Sequence, residues 1–184
     1  MKNSRDIALI VMFAVLIFIF RFFIGRAAGL VIGIPGFAYV FTIFYSIVQS
    51  LSFLMYKGRR WRLFAQVLLS VSLFLVFIDP ILRPNEMAIL LNFLIADIVF
   101  NSFYGSFERK NKLLWLTIIF QVYYWTTFLL LTLLFSVALF YPFEAFMKNW
   151  FIPVVSVMLP IMIIEALAGS YIGYKIYLRV EKLA

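Results

Sequence analysis

Apolar residues in this chain do not alternate with polar ones; they run in long blocks broken by short polar turns. The blocks cover Ile7–Phe23, Phe37–Tyr56, Leu63–Ile78, Met87–Tyr104, Leu113–Tyr141 and Ile152–Tyr174. A helix needs about 20 mostly apolar residues to cross the ~30 Å hydrocarbon layer of a bilayer. All six blocks meet or approach that length. The third is short, which suits little tilt or a locally thinned bilayer, and the fifth is long enough to tilt strongly. The pattern predicts an all-α membrane protein, a single domain over residues 1–184 folded as a six-transmembrane-helix bundle.

The turns between blocks are distinctive. Lys57-Gly58-Arg59-Arg60-Trp61-Arg62 follows the second block, Asp79-Pro80 stops the third, and Ser106–Lys112 follows the fourth. Between the first two blocks lies Ile24–Gly36, with Gly25, Gly29, Gly33, Pro35 and Gly36 among apolar neighbours. Glycine and proline at that density predict a loop. Two readings fit it: an ordinary interfacial loop, or a structured loop that dips back into the bundle. Irregular backbone at membrane depth survives only where protein or a water-filled cavity satisfies its amides.

Composition supports lipid as the solvent. Hydrophobic residues make up 66% of the 184 and charged residues only 13%, against about a quarter charged in a soluble domain. A chain this small has too little interior to hide so much apolar surface. The formal charge of +8 would suggest nucleic acid in a soluble protein, but its distribution argues otherwise. With the N-terminus placed in the cytoplasm, the inner turns and tails hold twelve of the 16 basic residues: Lys2, Arg5, Lys57, Arg59, Arg60, Arg62, Arg109, Lys110, Lys112, Lys175, Arg179 and Lys182. The outer turns hold the other four, Arg21, Arg26, Arg83 and Lys148. An excess of Lys and Arg in short loops marks the cytoplasmic side. The expectation is a multi-pass protein of the cell membrane with both termini cytoplasmic, the first block being a retained helix and not a cleaved signal.

There is no Cys and no His, so the inventory holds no thiolate nucleophile and no imidazole for general base or metal work. No phosphate-binding Gly-rich loop, HExxH or GxSxG run occurs either. The sequence is read as that of a non-enzyme without a cofactor or metal. Attention then falls on polar groups inside the blocks, where ionisable residues are costly and by default functional. Asp97, Asn101 and Tyr104 share one helix face at i, i+4 and i+7, while Asn92 points some 140° away toward another neighbour. Glu165 lies midway along the last block, ahead of Gly169 and Gly173, whose spacing lets helix backbones approach closely. It reads as a ligand contact, a buried acid, or the partner of Arg21 or Arg26. Gln121 and Trp125 share a face at i and i+4, which suits either a flat polar ligand ring or plain packing. Gln49 and Ser46 on the second block are read as helix–helix hydrogen bonders.

Several short stretches carry a resemblance: Ser4-Arg5-Asp6-Ile7-Ala8-Leu9-Ile10 at the start, Gly33-Ile34-Pro35-Gly36-Phe37, the Lys57-Gly58-Arg59 turn, and Pro160, Glu165-Ala166, Gly169 and Tyr174-Lys175 near the end. Together with size and topology they make the chain similar to the substrate-binding S components of energy-coupling-factor (ECF) vitamin transporters. One departure stands out. The family's Ala-xxx-Ala pair in the first helix is replaced by Ala8 with Met12 and Ala14 with Phe18, a bulkier docking surface for a coupling partner. The resemblance implies a capture subunit for a vitamin-like small molecule, worked by a transmembrane coupling protein and two cytoplasmic ATPases. It implies a pocket roofed by the loop after the first helix and lined from the later helices by Asn92, Asp97, Gln121, Trp125 and Glu165, with Arg26 near its mouth. The competing reading is a membrane scaffold or accessory subunit of a complex, whose Asp97 and Glu165 contact partner helices. An intramembrane enzyme has the least behind it.

Overall fold

The computed structural model describes residues 2–32, 42–139 and 152–183. Six α-helices and no strand occur among them: α1 (Lys2–Ile32), α2 (Thr42–Tyr56), α3 (Arg62–Phe77), α4 (Pro84–Arg109), α5 (Leu113–Leu139) and α6 (Ile152–Leu183). Four of these are long and apolar enough to cross a membrane, namely α4, α5, the Ser4–Phe23 part of α1 and the Val155–Lys182 part of α6. At 15 and 16 residues, α2 and α3 are shorter apolar helices.

The helix ends differ from the apolar blocks in an instructive way. The glycine-rich stretch expected to break after Phe23 instead continues α1 through Gly25 and Gly29 to Ile32. A helical glycine costs about 1 kcal/mol relative to alanine. An unpaired amide in an apolar medium costs several, so the helix wins. Gly33, Pro35 and Gly36, the rest of the expected loop, lie outside the described residues. At the other ends, α4 reaches back to Pro84 and α6 forward to Leu183, because charged residues at a helix end still complete backbone hydrogen bonds in water.

The helices form a closed ring in the order α1, α3, α4, α5, α6, α2, with α2 also touching α5 across the interior. Aromatic rings fill the centre. Phe120 of α5 is fully buried and lies 5.1 Å from Phe53 of α2 and 5.3 Å from Phe100 of α4, centroid to centroid. Phe93 sits 4.8 Å from Tyr124. Rings separated by 4.5–7 Å at tilted angles gain attraction beyond their area burial, which is one use of the chain's 23 phenylalanines.

The basic turns gather at one end. Lys57 pairs with Glu181 at 2.8 Å, and Arg59 and Arg62 both pair with Asp6. The start of α1, the α2–α3 turn and the tail of α6 therefore share a level, and Tyr104, buried against Leu54 and Gly58, brings the far end of α4 beside them.

Candidate functional site

The α2–α3 turn is a strained piece of backbone held by α4. Lys57, Gly58 and Trp61 all have positive φ. At Gly58 a Cβ would stand 2.9 Å from Tyr104 Cβ, so both conformation and space require glycine there. Asp97, fully buried, supplies what the start of α3 lacks. Its Oδ1 accepts the Trp61 N–H at 2.8 Å and its Oδ2 accepts the Phe64 N–H at 2.8 Å. These are amides that a helix start leaves without intrahelical partners. Asn101 donates to the same Oδ1 and to the Arg59 carbonyl. The face predicted from Asp97, Asn101 and Tyr104 is therefore real, and it points at the turn.

A second polar region runs down the junction of α2, α5 and α6. Thr42, Ser46 and Ser50 on α2 meet Glu165, Gly169 and Gly173 on α6 pair by pair, both sets spaced i, i+4, i+8. The constant offset means the two helices run parallel and in register over two turns. Their approach is close. A Cβ on Gly169 would come within 2.5 Å of Ser46 Cβ, and one on Gly173 within 2.9 Å of the Ile47 carbonyl. Small residues permit such contact between membrane helices, as the Gly169 and Gly173 spacing predicts.

From α5, Trp125 Nε1 donates to Ser46 Oγ at 2.9 Å, and Gln121 Nε2 donates to Ser50 Oγ at 3.1 Å. Both side chains are buried, and the shared face read from their spacing is directed onto α2. The amide oxygens of Gln121 and Gln49 are buried with no hydrogen bond.

Glu165 closes this junction at the end away from the basic turns. Its Oε2 accepts the Thr42 hydroxyl and the Ile43 N–H at 3.1 Å, capping α2 as Asp97 caps α3. Its Oε1 has no hydrogen bond among the described residues, and the side chain is only half-buried.

Asn92 faces α5, as its angle on α4 predicts. Its Nδ2 donates to the Tyr124 carbonyl and its Oδ1 accepts the Thr127 hydroxyl, each at 2.8 Å. Arg26 falls within α1, but its side chain lies outside the described residues. Gln121, Trp125 and Glu165 thus stand along one seam; Asn92 lies on the next interface, and Asp97 is at the opposite end.

Sequence reading passed over a further acid, one that is fully buried. Glu86, 1% exposed, binds Arg21 at 2.6 Å and accepts the Arg83 N–H at 3.1 Å. Arg21 therefore serves Glu86, not Glu165, and also lies 4.4 Å over the Phe74 ring. The available signal was Pro84 followed two residues later by Glu86, a helix-start signature.

Comparison of the chain with family models, with curated proteins and with solved structures gave no match.

Proposed function

We propose that this chain is the substrate-capture subunit of an uptake system of the energy-coupling-factor type, taking a vitamin-like micronutrient from outside the cell membrane. In this reading all six helices cross or line the membrane and both termini are cytoplasmic. A separate transmembrane coupling protein and cytoplasmic ATPases supply the work.

The supporting observation is an asymmetry between the two ends of the bundle. At one end gather the segments with twelve of the 16 basic residues and four of the eight acids, Asp6, Asp97, Glu108 and Glu181. The difference, eight, equals the whole formal charge of the chain. Away from that end, Glu165 stands at the outer end of the α2/α5/α6 seam, Trp125 and Gln121 lie deeper along it, and Arg26 falls in the outer turns of α1. Polar groups in that order suit a ligand that enters from the side away from the cytoplasm.

Gentle extraction followed by native mass spectrometry tests the reading. The expected result is a bound molecule of a few hundred daltons, together with ATPase subunits recovered on a tagged chain. Recovery of partner membrane proteins with neither a small molecule nor an ATPase would replace this reading with an accessory subunit.

A further inference from the structure

Two arginines at the basic end have no acid partner among the described residues, and they converge. Lys57 pairs with Glu181, and Arg59 and Arg62 pair with Asp6. Arg60 instead reaches across to α4, where its Nη2 lies 3.5 Å from Ser102 Oγ. Arg109, the last residue of α4, folds back so that its Nε donates to the Gly105 carbonyl at 3.2 Å. Ser102 and Gly105 stand three residues apart, about 4.5 Å along the helix axis. Two guanidinium groups from distant parts of the chain thus meet one spot on α4.

That spot is open. A Cβ added at Gly105 would meet nothing within 4 Å. Ile95, Ile98, Ser102, Gly105 and Arg109 share one face, within about 80° of one another at ~100° per residue, and all five are exposed. The face is a lane along a helix of membrane-crossing length: apolar at Ile95 and Ile98, then a hydroxyl, an open glycine and the two cations. The nearby acids of α4 lie on its adjoining face. Asp97 is buried against the α2–α3 turn, and Glu108 follows Tyr104 at i+4. Beside Arg60, the exposed Trp61 supplies an indole of the kind enriched at membrane surfaces.

Forked guanidinium donors match phosphate oxygens, and basic groups at a membrane surface draw anionic lipid. A soluble anion would use the guanidinium groups alone, whereas a phospholipid also covers the apolar half of the lane. From this convergence we infer that the exposed face of α4 at the basic end binds one anionic phospholipid. Its phosphate sits over Gly105 between Arg60 and Arg109, and an acyl chain runs along Ile98 and Ile95. The site is separate from the Glu165 seam and stands whether or not the chain is a capture subunit.

The test reconstitutes the full chain with equal amounts of phosphatidylglycerol and phosphatidylcholine, extracts it in mild detergent and counts retained lipids by native mass spectrometry. One phosphatidylglycerol per chain is expected, favoured over phosphatidylcholine by at least about tenfold. The double variant Arg60→Gln/Arg109→Gln is expected to lose that preference. Gly105→Leu keeps both charges but fills the open spot, and is expected to weaken it. Lys110→Gln/Lys112→Gln removes the same charge from the adjoining turn and is expected to keep it. All five positions are exposed, so the variants disturb no core contact. Equal retention of the two lipids by the parent chain overturns the inference. So does an equal loss of preference in the two double variants, which reduces the effect to overall charge. Displacement of the lipid by glycerol 3-phosphate at matching concentration would assign the spot to a soluble phosphate and overturn the lipid site as well.

Discussion

Along the flank built from α1, α3 and α4, the contacts between helices carry formal charge. Asp6 holds Arg59 and Arg62, Glu86 holds Arg21, and Asp97 holds the exposed amides of α3. Along the junction of α2, α5 and α6, helices meet through glycine, serine and neutral amide and indole groups, with Glu165 as the one acid there among the described residues. The difference follows from geometry. Where two helices run parallel and in register, small side chains bring backbones together over two full turns, and dispersion is recovered along the whole length. Short α3 starts inside the bundle, where its first amides need acceptors from another helix, and Arg21 lies over its Phe74 ring. Charge must be brought in to satisfy what packing alone cannot.

The sharpest way to break the charged flank is Arg21→Met. It strands Glu86, which is 1% exposed, and removing one partner of a buried pair costs about 3–5 kcal/mol. A large drop in the thermal midpoint of the purified protein is expected, most of it restored in the double variant with Glu86→Gln. If the single variant is as stable as the parent, water reaches Glu86 and the flank is not held as described. Asp97→Ala comes next. Two backbone N–H groups lose their acceptor, at about 1–3 kcal/mol each when left buried and unsatisfied. Protease cleavage within Lys57–Arg62 should rise in parallel, since this turn has lost its anchor. Asp97→Asn keeps one acceptor oxygen and should fall between the two.

Which of these features were legible beforehand depends on how far apart in the chain their causes lie. The helical period is local, so spacing alone identifies the shared face of Asp97, Asn101 and Tyr104, that of Gln121 and Trp125, and the packing role of Gly169 and Gly173. What each face touches is decided by packing across 36 to 123 residues, as with Asp97 on Trp61 or Glu165 on Thr42. No pattern within one helix encodes that. Glu86 was missed because a block counted from Met87 stops where charge begins, whereas a helix continues wherever its amides can pair. The same physics carried α1 through two glycines. Among the described residues, α1, α4, α5 and α6 have the length and apolar character to cross a membrane.

Smaller effects are expected in the close-packed seam. Gly169→Val places its branch against Ser46 Cβ and the Ile43 carbonyl, the latter 2.9 Å from the first added carbon. Overpacking of this kind costs about 1–3 kcal/mol. Gly105, with nothing within 4 Å of an added Cβ, is the control: Gly105→Ala should leave denaturation in mixed micelles unchanged or slightly improved. Equal responses at the two positions would mean that α2 and α6 separate freely.

Trp125→Phe should have the smallest effect. It removes the indole N–H that reaches Ser46 but keeps a ring beside Tyr124 and Phe128. Hydrogen bonds between membrane helices average about 0.6 kcal/mol, because the same groups also find partners when the helices are apart in the membrane. A loss of that order is expected from the same denaturation curves. A loss several times larger would place Trp125 with the charged contacts of the other flank, and the seam would then owe its cohesion to one indole and not to the glycines.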